Sequence, residues 1–135
     1  MLRPLTLLAT LGSATAALGA CTPGGEVAQS PRQPLVHDGV SIILLGDGLV
    51  SFTVALHGPA DATDVEMYGR CAAAGYALDQ GYGFARQVRT IVERDGRTWI
   101  GDAVYTLSAT LPDGLVIIDA EVVASDCNEL GIPTA

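Results

Sequence analysis

The feature that most constrains this fold is its punctuation. Short apolar runs are separated by Gly, Pro and Asp-Gly turn signals, and the series is interrupted once by a capped helical segment. Val40 to Leu45 is a continuous apolar run, Gly46-Asp47-Gly48 is a turn signal, and Val50 to His57 is rich in β-formers, so a hairpin is predicted here. After Gly58-Pro59 comes Thr63-Asp64-Val65-Glu66, the pattern in which hydroxyl and carboxylate reciprocally satisfy the first amides of a helix. Tyr68, Cys71, Gly75, Leu78 and Tyr82 follow at helical spacing, and Gly81 is placed to stop the helix.

Three more strands are predicted and can be registered by pattern. With Asp95-Gly96 as a two-residue loop, Val92 faces Trp99, Val88 faces Ala103 and Arg89 faces Asp102. With Asp113-Gly114 as the next loop, Tyr105 meets Val122, Leu107 meets Ala120 and Ala109 meets Ile118. A three-residue loop with a bulge at Gly114 is the competitor, and it slips this register by one. In the preferred register one sheet face carries Trp99, Ala103, Tyr105, Leu107, Ile118 and Val122, and the helix must cover it. The expected class is α+β: a two-layer sandwich of one helix on a mainly antiparallel sheet of about five strands, in the order β-β-α-β-β-β.

Ahead of this lies a segment of a different kind. Arg3 opens it, an apolar stretch runs from Leu5 to Ala17, and Leu18-Gly19-Ala20-Cys21 closes it. That order reads as a secretory signal peptide, and it resembles the bacterial lipoprotein signal, in which the cysteine becomes the lipid-bearing first residue. The stretch is shorter than the roughly twenty apolar residues a membrane span needs. Cleavage at Ala14-Thr15-Ala16 is the alternative, and it leaves an unpaired thiol near the new terminus. The lipoprotein resemblance implies removal of residues 1–20, attachment to the membrane through acylated Cys21, and, because Thr22 rather than Asp follows, the outer membrane. Residues 21–34 carry prolines and a Gly-Gly pair and form a predicted flexible linker. Residues 35–135 then make one α+β domain.

Three cysteines are an odd number. With Cys21 assigned to lipid, Cys71 and Cys127 remain, and in an oxidising compartment a pair is most simply a disulfide. Two free buried thiols are an alternative. A metal site is another, although His37 and His57 lack ligand spacing, and a redox pair would usually be a C-x-x-C.

A net charge of −8 argues against nucleic acid and against electrostatic attraction to anionic lipid. No nucleophile elbow, H-E-x-x-H or P-loop occurs, and no cofactor or metal is implied. Asp119 and Glu121, on one face of the last predicted strand about 7 Å apart, match the spacing of hydrolytic carboxylates, but solvated residues are the plainer expectation. His37 and His57 are expected at the surface. Arg86, Arg89, Arg94 and Arg97 gather in one hairpin and are the candidate anion- or partner-binding residues. The competing expectation pairs them with Asp102, Asp119 and Glu121, and Arg86 is awkward because its strand parity points inward.

The segments Cys71-Ala72-Ala73-Ala74-Gly75-Tyr76-Ala77-Leu78-Asp79-Gln80-Gly81-Tyr82-Gly83-Phe84, Asp102-Ala103-Val104-Tyr105-Thr106-Leu107-Ser108 and Gly131-Ile132-Pro133-Thr134 resemble small uncharacterised lipoproteins of Gram-negative envelopes. The resemblance implies a compartment and a fold type but no activity. Two functions are expected. The first is a non-enzymatic, periplasm-facing envelope module acting on a protein partner through an exposed apolar or sheet-edge surface. The second is a binder of an anionic small molecule or envelope polymer, or less readily a hydrolase, which needs a concave pocket.

Overall fold

The computed structural model describes residues 34–135. Chain order is β1 (Val36–Gly46), β2 (Leu49–His57), α1 (Ala62–Asp79), β3 (Phe84–Asp95), β4 (Thr98–Ser108), β5 (Ile117–Asp119) and α2 (Ala120–Leu130). The five strands form one sheet in the order β1-β2-β4-β3-β5, and every neighbouring pair is antiparallel. The fold is α+β, with helix packed on sheet, as the sequence predicts; the second helix was not foreseen.

The first hairpin turns at Asp47 and Gly48, both at positive φ (52° and 76°). That is the backbone a type I′ turn demands, and Asp-Gly supplies it cheaply. Val50, Phe52, Val54 and Leu56 alternate inward from β2 and are buried. Opposite them β4 supplies Tyr105, Ala103, Gly101 and Trp99. A Cβ on Gly101 would collide with the Val65 and Val54 side chains, so this glycine is what lets α1 settle closely on the sheet centre.

Helix α1 begins two residues earlier than predicted. Asp61 is the cap: its carboxylate accepts from the Asp64 amide at 3.0 Å, and the Asp61 amide donates to the Asp64 carboxylate at 2.9 Å. The box is real, but built on Asp61 and Asp64 rather than Thr63 and Glu66. Gly81 ends the helix as expected. Its amide donates to the Leu78 carbonyl and that of Tyr82 to Ala77, which is the Schellman arrangement. Tyr82 therefore lies past the helix and is exposed rather than in its inner stripe.

The β3–β4 register differs from the predicted one by two residues. The loop is Gly96-Arg97, with Asp95 opposite Thr98, Arg94 opposite Trp99 and Val92 opposite Gly101. The Asp95–Thr98 pairing makes Gly96-Arg97 the loop, and Gly96 at φ +61° supplies the positive φ that a type II′ turn wants at its first central position. From Arg89 to Asp95 this shift of two preserves the side-chain faces. Thr90, not Val88, now opposes Ala103, and Ile91 opposes Asp102.

The largest correction is at the C-terminal end. No hairpin joins β4 to a following strand. The chain instead crosses β3 and pairs on its far side for three residues, Ile117 to Asp119. Asp119 then caps α2, accepting from the amides of Glu121 and Val122 at 3.1 and 3.2 Å. Ala120, Val123 and Cys127 form the buried stripe of that helix, whereas Val122 is 56% exposed. The run Ile118, Ala120, Val122 alternates like a strand, but Ala120, Val123, Cys127 recurs like a helix, and the capping aspartate decides for the helix. Gly131 closes α2 with a second Schellman motif, Ile132 amide to Cys127 carbonyl and Gly131 amide to Asn128 carbonyl.

Cys71 of α1 and Cys127 of α2 are joined by a disulfide. In the chain-entropy picture a closed loop of 56 residues' separation is worth about 4 kcal/mol. The disulfide fastens helix to helix, so the element that follows β5 is held against the one that covers the sheet.

Candidate interaction surface

Helix α1 lies over β2, β4 and β3, and α2 packs beside α1. Among the described residues the other face of the sheet carries no helix. On that open face, register brings together Ile43 and Ser41 of β1, Ser51 and Thr53 of β2, Asp102 and Val104 of β4, and Arg89 and Ile91 of β3. Its centre is polar and closed. Ser51 Oγ donates to Asp102 Oδ1 at 2.6 Å, and Arg89 Nη1 lies 2.9 Å from Asp102 Oδ2. The Ser51 hydrogen bond, then the Arg89 guanidinium, hold the Asp102 carboxyl below its ordinary value against the opposing effect of burial. Val104, directly between Ser51 and Arg89 across the strands, is buried beneath this network.

Exposed apolar side chains occur in several places, among them Ile91, Leu111, Leu115, Val116 and Leu130, and the longest consecutive run of them lies at one margin of the sheet. Ile43, Leu44 and Leu45 are 55%, 69% and 52% exposed, and Ile42 is also exposed. All four belong to β1, a terminal strand of the sheet, whose outward backbone groups have no neighbouring strand among the described residues. Bulges interrupt its pairing with β2 between His37 and Gly39 and between Leu44 and Gly46, leaving Gly39 to Leu44 regular. This surface is of the kind the sequence predicts for an interaction module. Its position was not legible, because a continuous apolar run reads as a buried strand.

The two histidines lie near one another, His37 at the start of β1 and His57 at the end of β2. His57 Nδ1 meets Asp38 Oδ2 at 2.9 Å at the exposed surface, as expected for a surface histidine. His37 is half-buried, its ring 4.6 Å edge-on from that of Tyr68. Burial lowers the His37 pKa, with Asp64 and Asp38 pulling the other way. Among the described residues, no group of three His, Cys, Asp or Glu side chains is placed to hold a metal.

The four arginines do not form one cluster. Arg89 and Arg86 face the open side, Arg94 sits on the helix side with its guanidinium 5.2 Å from the Trp99 ring centroid, and Arg97 is in the turn. A bulge at Val88 explains the awkward parity of Arg86: beyond it the faces exchange, so Arg86 turns outward opposite Thr106 and Gln87 turns inward beside Tyr105. The Tyr105 hydroxyl donates to Gln87 Oε1 at 3.5 Å, and burial pushes its pKa up to about 12. Of the predicted ion pairs, Arg89 with Asp102 forms, diagonally rather than directly across. Asp119 and Glu121 are a helix cap and a first-turn residue, not paired carboxylates on a strand. Cys21 lies outside the described residues.

A shallow cleft of about 290 Å³ opens at the turn end of the first hairpin, between Leu44, Gly46, Leu49 and Leu107 and the Tyr76, Gln80 and Tyr82 side chains. It is small and open for a ligand site, and few polar groups converge on it.

Among the described residues these features define a class: an α+β sandwich covered on one face, with one long unpaired edge. Residues 37–131 match the family described as the YNQ4 C-terminal domain, and the chain belongs to that family. An uncharacterised 26.9 kDa protein in the nqo8 5′ region of Paracoccus denitrificans is 37% identical over 90 residues, which make up 66% of this chain and 35% of the relative. The chain thus matches about a third of that relative's length. No solved structure matches it.

Proposed function

We propose that this protein is a membrane-anchored lipoprotein facing the periplasm, and that its folded domain is a non-enzymatic interaction module of the cell envelope. The observation that carries the second half is the β1 edge, where Ile42 to Leu45 stand exposed along an unpaired strand. Unpaired strand edges of this length are templates for addition of a partner strand. The first half is supported by the run Leu18-Gly19-Ala20-Cys21 with its preceding apolar stretch and by the proline-rich spacer after it. The Cys71–Cys127 disulfide fits an oxidising compartment such as the periplasm. More than one acyl chain on Cys21, at about 0.8 kcal/mol per buried CH₂, makes the attachment lasting.

Metabolic labelling with a fatty acid in a Gram-negative host tests the anchor. Label on the full chain that disappears in Cys21→Ser is the expected result, and label persisting in that variant overturns it. A photo-crosslinking residue placed at Ile43 tests the module in intact envelopes. A discrete crosslinked product is expected, and none at all would remove the interaction reading.

A further inference from the structure

We propose that the strand which pairs with β1 is β1 of a second copy of this chain, antiparallel about a two-fold axis at Ile42, joining two five-stranded sheets into one of ten. This rests on reading the domain as an interaction module and names its partner.

The charge pattern comes first. Between Asp38 and Asp47 the eight residues 39–46 carry no charge, and Val36–Gly46 holds neither lysine nor proline, the usual guards of an edge. A self-paired strand of this composition brings no like charges into its middle. Symmetry then restricts the register. Directly opposed residues must share a sheet face, so a symmetric antiparallel pair places one residue opposite itself.

The regular stretch, Gly39 to Leu44, offers two central positions, Ser41 and Ile42. An axis at Ser41 sets Leu44 against the Asp38 carboxylate. An axis at Ile42 sets Ile42 against itself and Leu44 against Val40 on the helix-bearing face, with Ile43 against Ser41 on the open face. The second register covers Leu44, the most exposed large apolar residue of the strand, with an apolar neighbour, and it leaves Asp38 opposite Gly46. Both copies of α1 then lie on one side of the joined sheet, as a perpendicular two-fold requires.

Sedimentation of the full chain in density-matched detergent, together with cysteine pairing under mild oxidation, tests this. A concentration-dependent dimer is expected, weakened at least tenfold by Leu44→Lys without change in the cooperativity of melting. Residues directly opposed have Cβ atoms about 5 Å apart, and diagonal neighbours about 7–8 Å. Ile42→Cys alone is therefore expected to link beyond the wild-type background. Ser41→Cys and Ile43→Cys each fail to link alone and link when mixed. A dimer in which Ser41→Cys links by itself, or Ile42→Cys does not, overturns the register. A monomer at all concentrations, with a crosslinker at Ile43 capturing a different envelope protein, overturns self-pairing and leaves the interaction module standing. A monomer with no capture overturns both.

Discussion

The two edges of this sheet are built in opposite ways. β5 is three residues long and ends at Asp119, whose carboxylate turns the chain into α2, and α2 is tied by Cys127 to Cys71 of the covering helix. The Ala120 amide donates to the Gly83 carbonyl and the Gln87 amide to the Val116 carbonyl, so the chain flanking β5 uses backbone groups at that side. β1 is eleven residues long and has none of these devices; its apolar residues face outward on both sides of the strand. An edge is closed by stopping its strand early and capping a helix there. β1 is left long and, from Gly39 to Gly46, uncharged, and it is the edge proposed above to take a partner strand.

Several substitutions would break or sharpen that contrast. The largest effect is expected at the closed edge: replacing Cys71 and Cys127 together by Ala should lower stability by about 4 kcal/mol in a denaturant titration. Loss of α2 signal ahead of the rest would show that the disulfide guards β5. Next, Asp119→Ala removes the cap and should cost about 1 kcal/mol, with the amides of Glu121 and Val122 exchanging faster. At the open edge Leu44→Lys should change stability by less than about 0.5 kcal/mol, since the side chain is mostly exposed, while weakening association at least tenfold. A cost comparable to the Asp119 change would mean that β1 is packed and the contrast is false.

The smallest effect is expected from pH at the start of β1. The folded protein binds a proton at His37 less readily than the unfolded chain does, so the unfolded state takes up more protons below the ordinary imidazole pKa of about 6.5. The stability contribution of His37 is whole above that pH and declines as pH falls through the window down to the lowered folded value. Thermal melts from pH 7.5 to 5.0 should show this decline, and His37→Gln should flatten it.

Much of this fold was legible where the chemistry is local. Asp47-Gly48 marked the first turn, Gly81 the end of α1, and the cysteine count the disulfide. The inward residues of β4 were also readable, because a register error of two leaves faces unchanged. What failed needed context beyond a few residues. The stretch from Ile117 to Val122 satisfies both the strand and the helix period, and only the hydrogen bonds of Asp119 separate them. The bulge at Val88 has no marker in sequence, so the outward turn of Arg86 was hidden and four arginines looked like one site. Strand order was also unreadable, because β4 lies between β2 and β3 and local pattern does not say which strand ends the sheet. The position of the exposed edge follows from that order.

Hydrogen exchange at the two edges, measured on the full chain in detergent across a hundredfold range of concentration, tests the central claim most directly. Amides of Gly39 to Leu44 that point away from β2 are expected to become protected as concentration rises, while those around β5 keep one rate throughout. Equal exchange of the outward β1 amides at every concentration and in intact envelopes, or protection that appears at β5 instead, would contradict the account.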